Sequence, residues 1–285
     1  MGQSIREAGM RRIDRTHRGC AVVLLDQSGS MADSFGGSGG GGVKAQGVAD
    51  ALNRQLFELI LASRTQLEGG PKDHWDLGII GYGDRVGSAF QGELEQAAGA
   101  ELVSITKIWD RPVRIEERDR LDGAGGVTKF KMPIWVDPVS ENGTPMAEAF
   151  DEAAKLLGPW VAAHADSLPP IVLNLTDGEP NDMSRAKTSA SALTKLATSE
   201  GPVLLFNCHI SSRSEKPILF PADPSGLPDD IARFLFGISS VIPEEMLAKG
   251  RDAGFVLADN ARGYVFNADL VGVIKFLNIG TVLLG

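Results

Sequence analysis

The sequence predicts an α/β fold, a three-layer sandwich whose mostly parallel central sheet carries helices on both faces. Three observations predict it. Apolar runs of about four to eight residues, bounded by turn residues, recur along the chain. Most of them are followed by a segment of helical period. Each run is also too continuous for a strand with one face in water, so the sheet is expected to be covered on both sides.

The elements follow in order. AVVLLD (21–26) reads as the first strand. VKAQGVADALNRQLFELILASRTQL (43–67) spaces Val48, Leu52, Leu56, Leu59 and Ile60 by three and four residues, as a helix with one buried stripe requires. LGIIGYG (77–83) is the second strand. TPMAEAFDEAAKLLGPW (144–160) carries threonine and proline at helix-start positions and is expected to stop near Gly158-Pro159. IVLNLTD (171–177) is the third strand, SRAKTSASALTKLATSEG (184–201) a helix ended by glycine, and VLLFNCHI (203–210) the fourth strand. PEEMLAKGRDAG (243–254) opens with proline and two acids as helices do, GYVFNA (263–268) is the fifth strand, and DLVGVIKFLNIGTVLL (269–284) is the last helix.

Two segments break this rhythm. Residues 84–143 are too long for a loop in a compact domain, and EQAAGAELVSITKIWD and KFKMPIWVDPV within them predict an elaboration that bears a hairpin. SFGGSGGGGVK (34–44) is a glycine-rich loop by composition. Neither is composed as a separate domain, and no internal repeat is present. The expected organisation is an N-terminal extension (1–17) followed by one domain (18–285).

Charge narrows the function. A net charge of -9 and a pI near 5.0 argue against binding nucleic acid through its phosphates, which needs a basic stripe. The densest basic stretch, DRPVRIEERDR (110–120), interleaves acids with its arginines and reads as a solvated hairpin or helix face. The first residues, MGQSIREAGMRRIDRTHRGC, lack the apolar stretch of a signal peptide, and no run of about 18 apolar residues occurs, so a cytoplasmic protein without a membrane partner is expected. Cys20 and Cys208 each lie in an apolar, strand-like run and are expected to be small buried hydrophobes.

The chemistry concentrates at strand ends. Asp26 ends the first strand and Asp177 the third, and in open parallel sheets the carboxyl ends of strands face the crevice where ligands bind. Two carboxylates meeting there repel, and a cation between them resolves the conflict. With the hydroxyls of Ser28, Ser30 and Thr144 they form an all-oxygen set, suited to Mg2+, Mn2+ or Ca2+ and poor for zinc. Taken alone, Asp26, Ser28 and Ser30 also fit an ordinary turn after a strand.

DQSGSM (26–31), GTPM (143–146) and LTDGEPND (175–182) resemble, in order, the three metal-binding loops of the von Willebrand factor A (VWA) domain family. That family's metal-ion-dependent adhesion site combines a D-x-S-x-S motif, a distant threonine and a later aspartate. The resemblance spans roughly residues 18–283. It implies a Rossmann-like VWA fold, hydroxyl ligation by Ser28, Ser30 and Thr144, and binding by Asp26 and Asp177 directly or through water. It further implies a protein partner whose Asp or Glu completes the coordination, and Mg2+ is the favoured ion because hydroxyls outnumber carboxylates and no EF-hand-type calcium loop is present. DGEPND is similar to bacterial cytosolic members, including those associated with tellurium resistance. Such members are often encoded with kinases, phosphatases or AAA+ ATPases, and act in stress-response, signalling or defence systems.

Competing chemistries fit less well. GGSGGGGVK lacks the G-K-[ST] ending of a phosphate loop. A metal-dependent hydrolase of phosphate esters built on Asp26 is the alternative function, but it needs a second acid two residues on, where Ser28 stands. A serine hydrolase needs a G-x-S-x-G elbow, and Asp26-Gln27-Ser28-Gly29 has no leading glycine. A non-enzymatic binding protein is therefore expected.

Overall fold

In chain order the strands are β1 (Gly19–Asp26), β2 (Trp75–Tyr82), β3 (Val86–Ser88), β4 (Val103–Ser104), β5 (Arg114–Leu121), β6 (Val127–Ile134), β7 (Ile171–Thr176), β8 (Ala197–Thr198), β9 (Gly201–Pro202), β10 (Leu204–Ile210), β11 (Ile218–Leu219) and β12 (Tyr264–Ala268). The helices are α1 (Lys44–Ala62), α2 (Glu93–Ala97), α3 (Ile105–Asp110), α4 (Met146–Ala163), α5 (Met183–Leu193), α6 (Asp230–Ile238), α7 (Glu244–Asp252) and α8 (Leu270–Leu284). This computed structural model describes residues 13–35, 42–64, 69–97, 101–121, 126–210 and 216–284. Residues 1–12 of the expected extension and 36–41 of the glycine-rich loop lie outside them.

The main sheet has the order β11-β12-β10-β7-β1-β2-β3, with β4 also pairing β2. The pairs joining β2, β1, β7, β10 and β12 are all parallel, and antiparallel pairing is confined to β3, β4 and β11 at the margins. Alternation along β1 explains the continuous apolar run. Val23 and Leu25 pack with α1, α7 and α8 on one face, whereas Val22 and Leu24 pack with α4, α5 and α6 on the other. The fold is the expected Rossmann-like α/β sandwich, with a separate core on each side of the sheet. Gly263 marks a close approach, since a Cβ there would lie 2.0 Å from the Phe206 ring.

Two expectations need correction, and one element was missed. α4 does not stop near Gly158-Pro159 but runs to Ala163 with Pro159 inside it. The turn beyond the proline is held by burial of Trp160 and Val161 and by a 2.9 Å bond from Trp160 Nε1 to Asp76, which outweigh the lost backbone bond. The helix expected over 184–201 ends at Leu193, and the residues after it enter the small β8–β9 hairpin, whose turn is Ser199–Glu200, with Gly201 at φ +145 beginning β9. Helix α6 was not anticipated; Asp229 caps it by accepting from the Ala232 amide at 2.8 Å.

The elaboration does carry a hairpin, β5–β6. After it, Trp135 is fully buried and donates from Nε1 to Ile108 O at 2.6 Å. Asn53 of α1 acts as a backbone surrogate there: its Oδ1 accepts from the Trp135 and Val136 amides, and its Nδ2 donates to Val136 O at 2.7 Å. That clamp fixes where the chain emerges toward residues 139–145. Among the described residues, both cysteines are buried and free, and no helix is long and apolar enough to cross a membrane.

Candidate metal centre

Strand β1 lies between β2 and β7, so the chain leaves it to one side through α1 while β7 pairs on the other. That arrangement is a topological switch point, and the crevice beyond the strand ends is where α/β sheets bind ligands. Asp26 is the last residue of β1 and Thr176 the last of β7, so Asp177 follows its strand rather than ending it.

Three loops meet at this crevice. After Asp26 the chain turns into a short 3-10 helix, Gly29–Ala32. Ser28 stands at its N-cap without making the usual side-chain cap bond. Its hydroxyl faces the site instead, 3.1 Å from Ser30 Oγ and 3.4 Å from Asp177 Oδ1. Ser30 Oγ donates to the same carboxylate oxygen at 2.7 Å. Ser28 is buried and Ser30 exposed, so the cluster opens to solvent on the Ser30 side.

Asp26 is 2% exposed and is held from both sides. Its Oδ1 accepts from the Ser28 amide at 2.9 Å and its Oδ2 from Thr176 Oγ1 at 2.6 Å. Burial pushes its carboxyl up to about 6, although the bonds from Thr176 and Ser28 pull the other way.

Thr144 joins through its backbone. Its amide donates to Asn181 Oδ1 at 3.0 Å and its carbonyl accepts from the Asn181 amide at 3.1 Å. This reciprocal pair locks the loop before α4 onto the loop after β7. A Cβ on Gly178 would sit 3.6 Å from Thr144 Oγ1, which puts that hydroxyl beside the turn following Asp177. The side chain of Thr144 does not cap α4, because Pro145 occupies the N-cap position. The five residues singled out from the sequence thus come to one crevice, with Ser28, Ser30 and Asp177 in direct contact.

Three residues of the site were not anticipated: Thr176, Asn181 and Lys44. Lys44 is 3% exposed, and its Nζ lies 2.8 Å from Asp177 Oδ2 and 3.4 Å from Ser30 O. Under the crevice runs a buried polar chain. The Tyr82 hydroxyl reaches across β1 to Asn174 Oδ1 at 2.7 Å, Asn174 Nδ2 donates to Asn207 Oδ1, and Asn207 Nδ2 donates to Ser239 Oγ, both at 2.9 Å. Burial holds the Tyr82 phenol well above its ordinary range, so it stays a donor.

The donor chemistry fits a hard divalent cation. Hydroxyls and carboxylates from three loops supply oxygen only, and no group of three or more His, Cys, Asp or Glu side chains is gathered for a metal among the described residues. The hydroxyls, not additional acids, give the cluster its donor number.

No protein-family model matches the chain, and a comparison with curated proteins finds no match. Among solved structures, proximal thread matrix protein 1 from the mussel byssus aligns with a TM-score of 0.48 and 11% identity, over 95% of this chain and 47% of that one. A second crystal form of that protein gives 0.42 and 15%, over 92% and 46%. The manganese-loaded TRAP protein of Plasmodium vivax gives 0.40 and 15%, over 92% of this chain and 72% of that one. The chain spans about half the length of the mussel protein.

Proposed function

We propose that this protein is a divalent-cation-dependent protein-binding module of the von Willebrand factor A type. The observation that carries the reading is the meeting of Ser28 and Ser30, from the end of β1, with Asp177, from the end of β7, at the switch point of the sheet. In this reading the ion is held by the hydroxyls of Ser28, Ser30 and Thr144 and by Asp177. Asp26, whose two oxygens already accept hydrogen bonds, holds the Ser28 loop and acts through water.

Mg2+ is the ion favoured by a set richer in hydroxyls than carboxylates, with Mn2+ and Ca2+ as alternatives. Few charged ligands leave the ion electrophilic, and the exposed Ser30 side gives a partner's Asp or Glu access to it. The partner classes proposed are kinase, phosphatase or AAA+ ATPase components of a bacterial stress-response, signalling or defence system in the cytoplasm. The protein is proposed to bind, not to catalyse: two residues beyond Asp26, where a phosphate-ester hydrolase would need an acid, stands the buried hydroxyl of Ser28.

The reading is tested by metal-dependent stability. An ion at a hundred times its dissociation constant stabilises the native state by about 2.7 kcal/mol. For a chain of this size that raises Tm by about 4–5 °C. Millimolar Mg2+ or Mn2+ should produce this shift in the parent and not in Ser30→Ala or Thr144→Ala. Equal shifts in parent and variants remove the site assignment. A pull-down in Mg2+ and in chelator, comparing parent with Thr144→Ala, then identifies the partner. Turnover of a generic phosphomonoester, abolished by Asp26→Asn, would replace binding with hydrolysis.

A further inference from the structure

Lysine is a poor choice for the first position of a helix, because the helix dipole places partial positive charge there. Lys44 nevertheless opens α1. Its backbone is fixed: the amide donates to Asp33 O at 2.9 Å, and the preceding residue, Val43, bridges Ser34 across the base of the glycine-rich loop. From this anchored start the side chain runs inward. The ammonium ends 2.8 Å from Asp177 Oδ2, with side-chain exposure of 4% for the lysine and 0% for the aspartate.

Asp177 is therefore divided. One oxygen, Oδ1, accepts from the two serine hydroxyls of the site, and the other, Oδ2, is taken by the ammonium. Lysine carries no acceptor and contributes nothing to a metal's coordination. It does contribute a full positive charge, in contact with the same carboxylate and with the carbonyl of Ser30. A lysine and a divalent ion on one buried carboxylate repel strongly, since screening is weak away from water.

We infer that Lys44 is a tethered competitor for the divalent ion: its ammonium neutralises Asp177 in the metal-free protein and sets the metal affinity of the site. The inference rests on the metal-binding reading above and specifies how that site is regulated. An ion that engages Asp177 fully must release the ammonium from Oδ2. Because the Lys44 backbone is pinned, the release is a rotation of the lysine side chain toward the open Ser30 side. The metal-free protein is then internally charge-paired, and loading with metal frees a surface cation beside the position offered to a partner's carboxylate.

The test is Mn2+ titration by calorimetry on the full chain, for the parent, Lys44→Met, Lys44→Gln and Lys44→Arg, with circular dichroism to establish folding. Lys44→Met and Lys44→Gln should bind Mn2+ at least tenfold more tightly than the parent. Lys44→Arg, which keeps the charge, should stay near the parent value. In chelator the two neutral variants should melt below the parent, and saturating Mn2+ should raise their Tm by more than it raises the parent's. Lys44→Gln guards against misfolding of the methionine variant, since its amide still donates to Asp177.

Outcomes separate the two ideas. If the parent binds Mn2+ and the neutral variants bind it equally or less well, Lys44 is structural and the inference falls while the metal site stands. Tightening by Lys44→Arg as large as that by Lys44→Gln also overturns it, because charge is then not the cause. Binding in the neutral variants alone supports it in its strongest form. If no folded variant binds, both the inference and the metal-binding reading fall.

Discussion

Removing Asp177 should destabilise the metal-free protein through Lys44. Asp177→Ala leaves an ammonium with 4% side-chain exposure without the carboxylate that pairs with it. Breaking a buried ion pair by deleting one partner costs about 3–5 kcal/mol, mostly the uncompensated charge left behind. Unfolding entropy scales with length at about 2.1 cal/mol/K per residue, so this 285-residue chain loses about 5–8 °C of Tm. The assay is calorimetric or urea unfolding in chelator, for parent, Asp177→Ala, Lys44→Met and the double variant. Deleting both charges should recover much of the loss, giving a coupling of at least about 2 kcal/mol in the cycle. A single-variant loss below about 1 kcal/mol, or a double variant as unstable as the sum of the singles, would refute the buried pair as described.

Two further outcomes follow from the geometry. Burial raises the Asp26 carboxyl to about 6 from 3.8, so the native state holds its proton more tightly than the unfolded chain. The stabilisation is full below the unfolded value and is lost as pH rises through the folded one, about 3 kcal/mol in all between pH 4 and 6. Urea titrations in chelator across that range should show this slope in the parent and lose it in Asp26→Asn; parallel slopes would contradict it. Asn174→Leu cuts the chain from Tyr82 to Asn207 in the middle, removing the acceptor of the Tyr82 hydroxyl and the donor to the Asn207 amide oxygen in the core. At about 1–3 kcal/mol for each orphaned group, the midpoint of denaturation should fall clearly, whereas a neutral effect would mean that another partner takes them up.

Much of this was legible in the sequence because parallel strands buried on both faces must be apolar throughout. β1, β7 and β10 could hardly read otherwise, and their carboxyl ends then located Asp26 and Asp177. Helix α1 was legible in its stripe of Val48, Leu52, Leu56 and Ile60, all buried. What failed were boundaries decided by tertiary packing. Pro159 signals a stop, but Trp160 and Val161 beyond it are buried, and local propensity yields to that. Helix α6 was hidden by its shortness and by the proline- and aspartate-rich stretch before it, although Asp229 is a regular capping residue.

Lys44 was the largest omission at the site. Its partner lies 133 residues away, and in the sequence it is only the tail of a glycine tract. The one local sign was electrostatic, a cation at the wrong end of a helix. Asn181 was quoted within its motif but had no assigned task; its side chain joins two loops, a role that only the folded arrangement reveals.

The placement of β1 between β2 and β7 also dictates when the crevice can exist during synthesis. β1 and β2 are neighbours in the chain and can pair early, but Asp26 meets Thr176 across a separation of 150 residues. Closing a loop of that length carries an entropy penalty of about 4 kcal/mol beyond its constant part, to be recovered only when β7 is seated. A nascent chain that has delivered the two serines to the ribosome exit still has no site to offer. In the proposed reading, metal rewards only a fold in which β7 is seated, and a product truncated before Asp177, however well its first helix and strands assemble, lacks the site.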